Sequence, residues 1–181
     1  MKEEKTYFAS AIRSTPEEIH KEFELVESQK FFHEIFGTFT GVAAVIDKNR
    51  QIVYANDDFL AFLEISSLES VLGKRYGEAV SCTNSSTEPA GCGTSEACRF
   101  CGAVNAILES QRTGIKSLKE TRITTIAEGK QRSLDLNVSS TPISIAGQTF
   151  YVFILQDISD EKRRVALERI FFHDLLNLIN S

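Results

Sequence analysis

The sequence predicts an α+β domain: a five-stranded antiparallel sheet with helices on one face, flanked by an N-terminal helix and a C-terminal helix. Three observations carry this. Two short β-branched runs, "GVAAVID" (41–47) and "QIVYAN" (51–56), are joined by "KNR", a natural hairpin turn. Three longer alternating runs, "IKSLKETRITTI", "QRSLDLNVSSTPISI" and "QTFYVFILQDIS", are separated only by the turn-like "AEGK" and "AG" and so read as consecutive antiparallel strands. Helical signals fill the stretch between the two sets, which places strands at both ends of a helical middle.

The elements follow in order. "TPEEIHKEFELVESQKFFHEIF" (15–36) predicts one amphipathic helix: Thr15 can cap it, Pro16 suits its first turn, and Glu17 and Glu18 complement its dipole. Ile19, Phe23, Val26, Phe32 and Phe36 form its apolar stripe, and Gly37 ends it. Residues 1–36 are thus read as an N-terminal helical region and 37–160 as the sheet domain. Within the domain, "DDFLAFLE" and "SLESVLG" are short helical pieces with Asn56 or Asp57 and Ser67 as caps. "CGAVNAILESQRTG" (101–114) is a helix stopped at Gly114. Residues 161–181 are helical again, with Val165, Phe172, Leu175 and Ile179 on a near-heptad seam that suits paired helices. The pattern is still running at Ser181, so the sequence is expected to belong to a longer protein.

Composition narrows the function. Of 181 residues, 42% are hydrophobic and 25% charged, as in ordinary globular proteins. The net charge of −5 argues against non-specific nucleic-acid binding. No apolar run approaches the ~20 residues that span a bilayer, and "MKEEKTYFAS" lacks a secretory core, so the expectation is a cytoplasmic protein with no membrane and no nucleic-acid partner.

All four cysteines, Cys82, Cys92, Cys98 and Cys101, fall in one window with the spacing C-x9-C-x5-C-x2-C. In a reducing compartment such clustering points to metal or redox chemistry rather than structural disulfides. The C-x2-C pair lets two thiolates converge on one centre, and four thiolates complete an iron–sulfur cluster, [2Fe–2S] or [4Fe–4S], or a tetrahedral zinc site. A thiol–disulfide switch and unrelated buried cysteines are the other readings. Gly91, Gly93 and Gly102 would allow a loop to wrap closely, and Arg99 would offset negative charge.

The words and their order resemble a PAS sensor domain over roughly 37–160. "GVAAVIDKNRQIVYANDDFLAFLEI" is similar to the opening PAS hairpin and its "N-x-x-F" helix, with Asn56 and Phe59 in those places. "SLESVLGKRYGE" resembles the "E-x-x-x-G" segment. "YVFILQDISDEKR" resembles the last PAS strand and its "D-I-[ST]" ending at Asp157, Ile158 and Ser159, which leads into a signalling helix. The segment "RIFFHDLLNLI" is similar to the phosphoacceptor helix of sensor histidine kinases.

The resemblance implies that His173 receives phosphate, that Asp174 orients and deprotonates the imidazole, and that Asn177 places water. His173 and Asn177, four apart, share a helix face, and Asp174 lies ~100° round it. It also implies a homodimer, an ATP-binding kinase domain in the full-length protein and a response regulator as partner. Nothing in this chain resembles the ATP-binding module. "KFFHEIF" partly mirrors the motif, but Gly37 stands four after His33, so His33 and His20 are read as ordinary helix residues.

Some PAS kinases carry cysteine-ligated iron–sulfur clusters that read oxygen or redox state, and the cysteine loop at 82–101 is similar in kind. Flavin is disfavoured because "ACRFCG" follows a long insertion rather than the "L-G" of the preceding segment. Haem is disfavoured because no histidine lies within the domain. A zinc-stapled dimerisation module and a small-molecule-binding PAS pocket are the alternative functions.

Overall fold

The computed structural model describes residues 6–127 and 129–179. Its first helix, α1 (Pro16–Glu27), starts in a capping box: the Thr15 hydroxyl accepts from the Glu18 amide at 3.2 Å, and the Thr15 amide donates to the Glu18 carboxylate at 2.7 Å. The single helix expected over 15–36 is in fact two. Ser28 and Gln29 turn their side chains back onto the Leu25 carbonyl, and Gln29 leaves helical geometry at φ −83°, ψ 88°. A second helix, α2 (Lys30–Thr38), then runs past Gly37. The break lets Phe32 and Phe36 stack on each other at 4.8 Å and meet the Tyr54 ring.

Strands β1 (Val42–Ile46) and β2 (Ile52–Ala55) form the expected hairpin. Asn56 caps α3 (Asp57–Phe62); its Oδ1 accepts from both the Phe59 and the Ala43 amides, which ties the helix to β1. "SLESVLG" contributes only a 3₁₀ turn at Leu68–Ser70. It is followed by one helical turn, α4 (Tyr76–Ala79), which the sequence pattern does not reveal. Beyond the cysteine loop come α5 (Gly102–Thr113), β3 (Ser117–Ala127), β4 (Lys130–Ile145), β5 (Gln148–Asp157) and α6 (Ser159–Ile179).

The sheet order is β2-β1-β5-β4-β3, antiparallel throughout. Side chains alternate between its two faces. Ala44, Ile46, Leu136, Val138, Phe153 and Leu155 pack with Phe59, Ala106 and Ile107 under the middle helices. Val45, Val53, Ile145 and Phe150 pack with Ile19, Val26 and Phe36 of the N-terminal helices on the opposite face. Two-sided burial explains why "VAAVI" and "FYVFIL" read as continuous apolar runs. No helix among the described residues is long and apolar enough to cross a membrane.

Candidate four-thiol site

The loop from Cys82 to Cys101 folds back between α4, α5 and the edge strand β3. Cys82 forms an isolated antiparallel bridge with Thr125 of β3, and the Ile126 amide donates to the Ser81 carbonyl at 3.1 Å. At the loop's other end the Gly102 amide donates to the Thr121 hydroxyl at 3.1 Å, and the Cys101 sulfur lies 3.8 Å from that same hydroxyl. Between them, Glu96–Phe100 is a 3₁₀ helix that carries Cys98 into the interior, where Ser95 Oγ meets its sulfur at 3.1 Å. Gly91 and Gly93 hold φ of +83° and +92°, which L side chains rarely adopt, so the loop needs glycine there.

These turns bring Cys82, Cys92, Cys98 and Cys101 onto the wall of one cavity of about 120 Å³. Tyr76, Gly77, Val104, Arg122 and Ile123 share the lining. The volume far exceeds the ~10–15 Å³ that admits one water. At Gly77 an added Cβ would lie 2.6 Å from the Cys92 sulfur and 3.5 Å from the Cys82 Cβ. As placed, no group of three or more His, Cys, Asp or Glu among the described residues is arranged to hold a metal ion. The fit to a metal or cluster is therefore one of donor chemistry: all the chain's thiols line one cavity.

The electrostatics favour protonated thiols at Cys82 and Cys92. Burial pushes the Cys92 thiol up to about 12, and the neighbouring Cys101 adds to the rise. Burial likewise raises Cys82. The Tyr76 phenol is driven well above its ordinary range, by burial first and then by Cys101, Cys82 and Cys92. Its hydroxyl is buried and has no hydrogen-bond partner.

Positive charge lies beneath the loop. Arg75 is 1% exposed and Arg50 4%. Burial lowers both, Arg75 to about 10 with Arg50 and Arg13 assisting, while Cys92 acts in the opposite direction on each. Arg75 donates to the carbonyls of Ala90 and Cys92 in the loop, and to those of Ser10, Ala11 and Ile12 in an N-terminal strap, residues 6–14. The strap is held at further points. The Tyr7 and Ala9 amides donate to Thr94 and Gly93 carbonyls at 2.8 and 2.9 Å. Arg50 donates to the Ser10 carbonyl. Arg13 makes a two-pronged pair with Glu78, whose carboxylate also accepts from the Arg75 and Cys92 amides. Arg99, expected to offset charge at the site, instead turns outward and donates to the Tyr7 carbonyl. Sequence reasoning missed Tyr76, Arg75, Arg50 and the strap.

The histidine motif lies elsewhere. His173 is exposed on α6. Asp174 and Asn177 belong to the same helix, but their side chains, like those of His33 and Ile179, fall outside the described residues. His20 is exposed on α1 and lies 3.3 Å from Glu24.

No family model matches the chain, and no curated protein matches it. Solved structures do. The PAS domain of a protein from Colwellia psychrerythraea is 14% identical with a TM-score of 0.50, over 72% of this chain and 97% of that one. The PAS domain of BvgS from Bordetella pertussis is 16% identical with a TM-score of 0.47, over 83% and 98%. A LOV protein from Rhodobacter sphaeroides is 13% identical with a TM-score of 0.48, over 77% and 68%. At such identities the likeness is one of fold: this chain has the PAS fold.

Proposed function

We propose that the chain is the sensory part of a cytoplasmic histidine kinase, in which Cys82, Cys92, Cys98 and Cys101 ligate an iron–sulfur cluster that reports oxygen or redox state. The observation that carries this is the shared cavity of the four thiols. Its size favours a polynuclear centre over zinc, because four thiolates at ~2.3 Å from a single ion leave little space between them. The buried Arg50 and Arg75 offset the negative charge of four thiolates. A bound cluster would supply one-electron redox chemistry and sensitivity to oxygen.

The protein supplies the route outward. Arg122 lines the cavity and pairs with Asp135 of β4 through Nε at 3.1 Å and Nη2 at 2.7 Å. Asp135 holds the root of α6: its carbonyl accepts from the Ile158 amide, its amide donates to the Ser159 hydroxyl, and its carboxylate lies 3.6 Å from Lys162. A displaced cysteine loop would thus pull on α6 across two strands, a bistable element that the state of the site biases. Val165, Phe172 and Leu175 leave apolar surface exposed along α6, suited to pairing with a second copy. His173 is the phosphoacceptor in this reading, with Asp174 and Asn177 in the supporting roles, and phosphate passes from a separate ATP-binding domain to a response regulator.

The test is metal content and colour after anoxic purification and reconstitution. Brown protein with iron and sulfide, both lost in Cys92→Ser, is the expected result. Colourless protein with one zinc per chain would instead establish a zinc-stapled module. Phosphotransfer to His173 from a supplied kinase domain is expected to differ between loaded and stripped protein, and equal transfer would sink the sensing role.

A further inference from the structure

We propose that the Tyr76 hydroxyl is the hydrogen-bond donor that the fold directs at the sulfurs of this site, and that it sets the reduction potential of the centre they hold; the inference rests on the four-thiolate reading above. Tyr76 is 4% exposed, and its hydroxyl is buried with no partner. Buried hydroxyls are nearly always paired, so an orphan one at a ligand-sized cavity points to an acceptor in that cavity. The side chain shares the cavity wall with all four cysteines. Its ring cannot easily turn elsewhere: it packs against Phe153 with centroids 5.2 Å apart, and Tyr76 begins α4, whose next residue, Gly77, abuts Cys92.

Two of the sulfurs have their own side-chain neighbours. Ser95 Oγ meets Cys98 at 3.1 Å and Thr121 Oγ1 meets Cys101 at 3.8 Å. Neither contact closes its sulfur to a second donor, so the phenol's hydrogen bond can go to any sulfur on the shared wall or to inorganic sulfide between them. Donation to a sulfur stabilises the reduced, more negative form, so the bond raises the potential.

The test compares reconstituted wild type with Tyr76→Phe, which keeps the ring and removes only the oxygen. The reduction equilibrium constant is expected to fall about tenfold in the variant, ~59 mV for a one-electron couple. In the wild type, iron–sulfur stretching bands in resonance Raman are expected to shift on transfer to D₂O, and the shift attributable to Tyr76 to vanish in the variant. An unchanged potential, or identical isotope shifts in both proteins, overturns the inference while the four-thiolate site stands. Wild-type protein that takes up no iron after reconstitution overturns the site and this inference together, and metal analysis reveals that before any potential is measured. If the variant loads poorly, the absence of any isotope shift in the wild type still rejects the bond.

Discussion

Gly77 and Glu22 show how single residues balance opposing terms. Alanine at 77 would favour the short helix α4 by about 1 kcal/mol. Its Cβ, however, would lie 2.6 Å from the Cys92 sulfur and 3.2 Å from the Cys92 Cβ, so the whole residue must move. Overpacking costs about 1–3 kcal/mol, which outweighs the propensity gain. Gly77→Ala is expected to lower the denaturation midpoint modestly and to abolish iron uptake, read from iron content after reconstitution. Glu22 carries a carboxyl raised from 4.5 to about 7, by burial first and by Asp47 next, and one of its oxygens is buried without a partner. The folded state therefore keeps a proton that the unfolded chain releases near 4.5, and stability falls as pH rises from about 5 through 7. Glu22→Gln removes that loss. It is expected to stabilise the protein at pH ~8, on the order of 1 kcal/mol after discounting for the solvent that screens a partly exposed group. At pH ~5 it is expected to do little; urea unfolding at both values checks this.

Among the elements, the strap at 6–14 depends most on one side chain. Arg75→Met keeps the bulk but leaves the carbonyls of Ala11, Ile12 and Cys92 without their donor, while Ser10 keeps Arg50 and Ala90 keeps Arg13. A loss of about 3 kcal/mol is expected. The Tyr7 and Ala9 amides, bonded to Thr94 and Gly93 in the wild type, are expected to exchange hydrogen freely, as mass spectrometry can follow. The strands and α5 were legible in sequence because their periods and their stops, such as Gly114, are local signals. The strap was not: it has no period of its own and is held by guanidinium groups from positions 50, 75 and 99. Arg75 reads as a surface residue in "GKRYGE", since arginine is rarely buried, and only the folded loop provides the carbonyls that satisfy it. The break between α1 and α2 was hidden for a similar reason. The apolar stripe continues through it, while the turn is decided by Ser28 and Gln29 reaching back to one carbonyl.

At the scale of the molecule, the clustering of thiols was visible in the sequence, but their common cavity and the orphan hydroxyl of Tyr76 required the loop to close on α4 and β3. The same closure places Arg122 at both the cavity and Asp135, so the proposed path to α6 can be cut without touching a thiol. Asp135→Asn is expected to leave cofactor uptake intact while the amides of Ile158 to Lys162 lose about tenfold of their exchange protection. It is also expected to make phosphotransfer at His173 indifferent to the state of the site. The wiring of the strap bears on how the protein is made. Ser10 is translated 40 residues before Arg50, and Tyr7 92 residues before Arg99. The strap is thus synthesised early and fastened late. Arg75, Gly93, Thr94 and Arg99 all follow it in the chain, so its fastening is completed only once most of the thiol-bearing loop has itself been made.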